Sequence, residues 1–414
     1  MSCCTGTKSH TTGCSKPEYD IGDIFRDNLD KLRGKISREH WKVVNAITAC
    51  RTERLGGHKL QCTHCQHTEQ SYNSCRNRHC PKCQAAARLL WVNKRMTELL
   101  PIKYFHVVFA LPDIMHDLAL CNKGKLYDML FKVVRETLTE AAANPKNLGA
   151  RIGIISVLHT WGQKLNFHPH MHCVVTGGGL SADGTRWIPC KKNFFISVKI
   201  LSALFRGKFL DYLQKTYAGG GLMFYGKAEK LKQPDQFKKL IDAAYKKTWI
   251  TYCKKPFSKP GHVLKYLGRY THRIAISNHR ILKVTPETVS FRWKDYRDES
   301  KIKTLTLKVA EFMRRFLLHV LPYGFIKVRF SGILCNRRKK ENLEKCRQIL
   351  GVVKTEENEE KEPETWQELF QNLTGIDISL CPKCKTGRME IIAPIPEKLP
   401  GYKGGRIARM FDSS

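Results

Sequence analysis

The chain has 414 residues, of which 72 are lysine or arginine against 37 acidic ones, a formal charge of +35. So large an excess attracts polyanions and makes nucleic acid the leading partner; a membrane-spanning role is excluded, since no apolar run approaches the ~18 residues a bilayer requires. Seventeen cysteines and an amino terminus without the apolar core of a signal peptide suggest a cytoplasmic, nucleoid-associated protein whose thiols stay reduced and bind metal.

In chain order, residues 1–40 read as a polar tail followed by an amphipathic stretch, "DIFRDNLDKLRGKI". Between 50 and 83 the cysteines crowd together, and 41–100 form a candidate zinc-binding domain. "CTHC" (Cys62, Cys65) and "CPKC" (Cys80, Cys83) make a doubled C-x2-C motif with 14 residues between the halves. Four soft ligands suit a tetrahedral zinc ion, which crosslinks a segment too small to bury a core. Cys75 or His79 is an alternative for one of the four. Arg76, Arg78 and Lys82 lie among these ligands, where a rigid ribbon presents them to phosphates; a purely structural zinc is equally compatible.

"AAARLLWVNKRMTELLP" predicts a helix closed by Pro101, and "KYFHVVFALP" a strand. A long helix is expected over 124–143, then strands over 151–159 and 170–176. The second strand carries "NFHPHMHCVVTGGG", in which His168, His170 and His172 alternate and so share one face. If these two strands pair as a hairpin, His159 lies near His170 and His172 and completes a three-imidazole metal site with positions open to substrate oxygens. His168 is the reserve ligand and Gln163 a weaker one. The alternative is a His159 that only packs.

Residues 200–260 look helical and basic. "PGHVLKYLGRYTHR" predicts a helix on which Tyr266 and Tyr270, four apart, share a face. They are surrounded by Lys265, Arg269, His272 and Arg273, cations that would stabilise a phenolate meeting a phosphodiester, although paired tyrosines often just pack. "HRILKVTPETVSFRWKDYR" suggests a hairpin, and "LKVAEFMRRFLLHVLP" an amphipathic helix burying Val309, Phe312, Met313, Phe316, Leu317 and Val320. An acidic linker, "KTEENEEKEPE", precedes a tail whose "CPKC" (Cys381, Cys384) offers half a site with no assigned role.

Taken together, "HPHMH", "YLGRYTHRIAISN", "YFHVVFALP", "CRTERLGGHKLQCTHC", "SCRNRHCPKCQ" and "EFMRRFLLHVLPYGFIKVRFSG" resemble, over about residues 40–340, the two-tyrosine HUH transposases of the insertion-sequence 91 group. The resemblance implies an α+β fold: an HUH endonuclease-like antiparallel sheet with flanking helices, preceded by a small zinc ribbon. It implies a catalytic domain over 101–290, completed by a basic hairpin and helix over 291–350, with linker and tail over 351–414. Tyr266 and Tyr270 would be nucleophiles, forming a 5′-phosphotyrosine on single-stranded DNA at element ends. Mg²⁺ or Mn²⁺ would sit at the histidines and zinc at the cysteines. Two other readings share parts of this evidence: a plasmid replication initiator or relaxase with the same chemistry, and a non-catalytic zinc-dependent DNA-binding regulator. End sequences, target and oligomeric state are not encoded in any recognisable pattern.

Overall fold

The computed structural model describes residues 17–191, 193–257, 263, 268, 274–352 and 366–398. Helices α1 (Ile21–Arg26) and α2 (Arg38–Ala49) open the chain, each begun by a side chain that accepts an otherwise orphaned N–H: Asp20 from Gly22 and Ser37 from His40. The hairpin β1 (Gly57–Cys62) and β2 (Thr68–Tyr72) and helix α3 (Gln84–Met96) follow. Next come β3 (Tyr104–Ala110), α4 (His116–Cys121) and α5 (Lys123–Ala143), then β4 (Arg151–Trp161), β5 (Phe167–Leu180) and the short β6 (Trp187–Pro189). Helices α6 (Val198–Ala218) and α7 (Pro234–Lys246) lead to β7 (Thr251–Cys253). The remainder comprises β8 (Ile281–Val284), β9 (Thr288–Asp295), β10 (Lys301–Lys308), α8 (Val309–Leu318), β11 (Val328–Gly332), α9 (Lys339–Ile349), α10 (Trp366–Thr374) and β12 (Met389–Ile395).

The central sheet has the order β11-β4-β5-β3-β7, with β6 added to β5, and all its pairs are antiparallel. The fold is therefore α+β. Alternation gives the sheet two unlike faces. Phe105, Val107 and Phe109 of β3, Ile154 and Leu158 of β4, and Met171, Cys173 and Val175 of β5 point to a core closed by α5, α6 and α7. Their large side chains bury enough apolar surface that Phe109→Ala would cost roughly 3–5 kcal/mol. The opposite face is split. One half is apolar, with Tyr104, Ile155, Val157 and Val174 packed beside Val263, Leu343 and Cys346; the other half carries histidines.

Pro169 cannot donate to a ladder, yet it sits inside β5. The register explains why this is tolerated: β3 ends opposite His170, and the pairing with β4 shifts between His159 and Trp161, so Pro169 falls at an irregularity. Farther along β5, a Cβ on Gly179 would lie 2.3 Å from the Arg151 carbonyl oxygen, which is why side chains are absent where β4 crosses.

Two smaller sheets complete the molecule. The order β10-β9-β8 forms one, and it shares a core with α1, α2 and α8, where Phe25 meets Phe316 edge-on at 5.3 Å between ring centroids. Val309, Phe312, Met313, Phe316 and Leu317 are buried on α8, as their spacing predicts. The other sheet has the order β12-β1-β2: the carboxyl-terminal strand returns across the whole sequence and pairs antiparallel with β1, Gly57 opposite Ile395 and Cys62 opposite Met389.

Candidate metal centre and cysteine clusters

The strands β4 and β5 form a hairpin in which His159 stands directly opposite His170. Their side chains project to the same face as that of His172. Ring centroids lie 5.4 Å apart for His159 and His170, 4.6 Å for His159 and His172, and 4.9 Å for His170 and His172. One ligand nitrogen from each lies within 4.8 Å of the others, so that small side-chain shifts would bring all three onto one ion with bonds of about 2.1 Å. His159 and His172 are buried and His170 half-buried, so the group opens to solvent on one side.

The outer contacts fix how these rings are held. His170 Nδ1 donates to the His168 carbonyl oxygen at 2.7 Å, leaving the ring's lone pair on Nε2. His172 Nδ1 shares a 2.9 Å hydrogen bond with His106 Nε2, with the two rings nearly parallel at 14°. His106 comes from β3 and was not singled out in the sequence. Its signal was present, an imidazole in the middle of the apolar strand "YFHVVFA", where a polar group needs a partner. Burial, reinforced by the charge of Lys254, pushes the His106 imidazolium down to about 3. His106 is thus neutral near pH 7 and can accept from the Nδ1–H of His172, the outer-shell arrangement that orients metal-ligating histidines. His168 lies 5.0 Å from His170 between ring centroids, and its edge meets His116 at 5.9 Å. Gln163 instead reaches the Tyr296 hydroxyl at 3.4 Å.

The cysteines assemble differently from the expected doubled knuckle. The structure does not bring Cys62 and Cys65 together with Cys80 and Cys83. It forms two separate groups of four: Cys50, Cys75, Cys80 and Cys83, and Cys62, Cys65, Cys381 and Cys384. In the first, Cys83 Sγ lies 3.3 Å from Cys50 Sγ and 3.6 Å from Cys75 Sγ. In the second, Cys62 and Cys384 are 3.7 Å apart, and Cys65 and Cys381 3.6 Å. A tetrahedron with zinc–sulfur bonds of about 2.3 Å has edges of roughly 3.8 Å, whereas a disulfide closes to ~2.05 Å. The donor sets therefore fit zinc. Backbone N–H groups aim at the sulfurs as a thiolate demands: Cys65 N at Cys62, Lys383 N at Cys381 and Gly387 N at Cys384, at 3.3–3.4 Å.

The pairing could not be read from spacing, because Cys62 and Cys381 are joined only through the β12–β1 ladder. Cys75, held in reserve as a substitute, is a full member of the first group, and His79 belongs to neither. Among the expected DNA contacts, Arg76 is exposed. Arg78 Nη1 donates to the Phe325 carbonyl at 2.5 Å. Lys82 is committed to structure, donating to the Cys50 carbonyl and pairing with Asp20. Tyr266, Tyr270, Lys265, Arg269 and Arg273 lie outside the described residues. The neighbours that are described, Val263 and Gly268, have helical backbone. Val263 is buried against Tyr104, Ile155, Val157 and Val174 on the histidine-bearing face, and a Cβ on Gly268 would meet Val92 of α3 at 2.5 Å.

The chain is similar to known transposases. A family model described as "Putative transposase" matches residues 153–342, and one described as "Transposase zinc-binding domain" matches residues 22–111. The chain is 45% identical over 373 residues to "Putative transposase y4qJ" of Sinorhizobium fredii (strain NBRC 101917 / NGR234), covering 89% of this chain and 94% of that protein. It is 32% identical over 299 residues to the "Transposase for insertion sequence element IS801" of Pseudomonas savastanoi pv. phaseolicola, covering 72% and 70%. Among solved structures, the metal-bound conjugative relaxase TrwC in complex with oriT DNA aligns with a TM-score of 0.23 and 16% identity, over 41% of this chain and 71% of that one.

Proposed function

The chain belongs to the insertion-sequence 91 family of transposases, and from that premise we propose that it nicks single-stranded DNA at the element's ends by tyrosine attack and passes the strand to a target. Tyr266 and Tyr270 are the nucleophiles of this reading. The phenolic oxygen of one forms a bond to the scissile phosphorus as the bond from phosphorus to the 3′ oxygen breaks. The 5′ side then remains on the enzyme as a phosphotyrosine, and the departing 3′ oxygen takes up the proton the phenol gives up. A 3′ hydroxyl attacking that ester reverses the step, so the energy of the linkage is kept and rejoining needs no nucleotide cofactor.

The observation that supports this most is the convergence of His159, His170 and His172 on one sheet face, the same face against which Val263, three residues before Tyr266, is buried. A Mg²⁺ or Mn²⁺ ion held there would polarise the scissile phosphate, whose own oxygens and water supply hard ligands that imidazoles lack. The protein's part is to hold three imidazoles in fixed orientation, with His106 and the His168 carbonyl setting two of them. The cysteine groups, saturated with four ligands each, fit structural zinc.

The direct test is to incubate the full chain with labelled single-stranded DNA carrying an element end and Mn²⁺, then denature. The expected result is a strand that stays attached to the protein, with transfer to a second strand lost in both Tyr266→Phe and Tyr270→Phe. Full transfer by both variants overturns the assignment of the nucleophiles; a strand that migrates uncut and unattached favours the non-catalytic regulator.

A further inference from the structure

Beside the histidine group lies a cleft that the chemistry above does not use. Arg78 and His79 enter it from the cysteine-rich segment, His319 from just past α8, and Lys327 from just before β11; Trp161 forms a wall. The enclosed space is small, about 20 Å³. All four titratable residues lining it are basic. No carboxylate lines it among the described residues.

Burial holds His79 and His319 well below the usual imidazole range, which leaves Arg78 and Lys327 as the cations there, and a cation drawn from water loses hydration unless something compensates it. Internal acceptors meet part of the cost. Arg78 is held by the Phe325 carbonyl, and Lys123, whose charge acts on His79 and His319, donates to the carbonyls of Leu318 and Val320 at 2.8 and 3.2 Å. His79 Nε2 accepts from Leu321 N at 3.5 Å, and His319 lies between Thr160 Oγ1 and the Leu165 carbonyl, each at 3.3 Å. Lys327 differs. Its backbone carbonyl is fixed by Leu158 N at 2.9 Å, yet among the described residues its ammonium has neither a hydrogen-bond acceptor nor a carboxylate. The residue is half-buried and lines the cleft. Burial and the charge of Arg78 push it down to about 8.

The cleft is also next to the candidate metal centre. Trp161 stacks on His159 with 4.6 Å between ring centroids and 19° between planes, and meets His319 at 6.0 Å. We propose that this cleft binds a backbone phosphate of the single strand held at the histidine face, with the Lys327 ammonium as its counter-charge and Arg78 at its mouth. The cysteine-rich segment would then contribute directly to holding the strand. Trp161 would couple the phosphate's position to His159.

This rests on the proposed strand-cleavage reading, but its test reads binding without cleavage, so the two fail separately. Fluorescein-labelled oligothymidylate is titrated with the full zinc-loaded chain, without added Mg²⁺ or Mn²⁺, over a series of salt concentrations. Lys327→Gln and Arg78→Gln are each expected to weaken binding about 3- to 10-fold and to lower the slope of log affinity against log salt by ~0.7, the share of one phosphate contact on a single strand. Lys327→Arg should restore both. Orthophosphate should raise the melting temperature of the unaltered chain and not that of Lys327→Gln, whose removed charge should leave the folded state at least as stable. Unchanged affinity and slope in Lys327→Gln overturn the proposal. Stabilisation by orthophosphate with undiminished strand binding in that variant likewise overturns it, since the cleft would then take a small anion and not the backbone.

Discussion

The two cysteine groups and the histidine group differ in how they are built. Each cysteine group closes four ligands around a centre and draws them from separate elements: the residue after α2 and the segment between β2 and α3 in one case, the end of β1 with its turn and the segment before β12 in the other. The histidine group draws three ligands from one hairpin, with one ring half-open to solvent. A closed set leaves an ion nothing to do but hold the chain together, whereas an open set lets substrate oxygens complete the coordination. The same contrast separates loss of fold from loss of chemistry, and it can be tested from both sides.

The largest effect is expected at the first cysteine group. Its sulfurs lie within the core shared by α1, α2 and α8, and a structural zinc contributes roughly 10–16 kcal/mol of binding free energy that is also folding free energy. Cys80→Ser should therefore abolish cooperative unfolding of the amino-terminal region and reduce the zinc content from two ions per chain to one. Cys384→Ser should also remove one ion but act more locally, releasing β12 from β1 while the main sheet keeps its protection from hydrogen exchange. Elemental analysis together with exchange measurements distinguishes the two. Two ions retained in either variant would break the assignment of separate groups.

At the histidine group the balance reverses. His170→Ala should lower adduct formation by about 10³-fold, comparable to losing a major electrostatic contribution at the reacting phosphate, while the melting temperature stays within a few degrees. One step out, His106→Ala should weaken Mn²⁺ binding roughly 10- to 100-fold, as loss of a partner orienting a ligating histidine does. Isothermal titration with Mn²⁺ checks this without any DNA. Equal Mn²⁺ affinity would mean that His106 only fills space.

How much was legible in the sequence follows from the same contrast. The histidines could be read because alternation along a strand is a local rule and the hairpin joining His159 to His170 closes over few residues. The helix α8 could be read for the same reason, its buried stripe repeating every three or four positions. The cysteine pairing could not: Cys65 and Cys80 are close in sequence and fall in different groups, and nothing local announces that β12 crosses back to β1. The signal at His106 was ambiguous, because a single imidazole in an apolar strand has the same local signature whether it packs or orients a ligand. The basic cleft was invisible for a similar reason, since Arg78, His79, His319 and Lys327 belong to three separate stretches that only the packing of α8 against the cysteine-rich segment unites.

The smallest effect concerns stability against pH, and it too sets the closed parts of the molecule against the open ones. His319 is 3% exposed, and burial pushes its imidazolium down to about 3. In the unfolded chain the same group titrates near 6.5, so between those values the unfolded state binds the extra proton and stability falls as the pH is lowered. His319 alone should account for a loss of about 2 kcal/mol between pH 7 and pH 5. Denaturant unfolding of the unaltered chain and of His319→Gln at both values isolates this contribution from the other buried histidines. Whatever its starting stability, the variant's decline with acid should be shallower by that amount, and parallel declines would show that His319 is already charged in the folded protein.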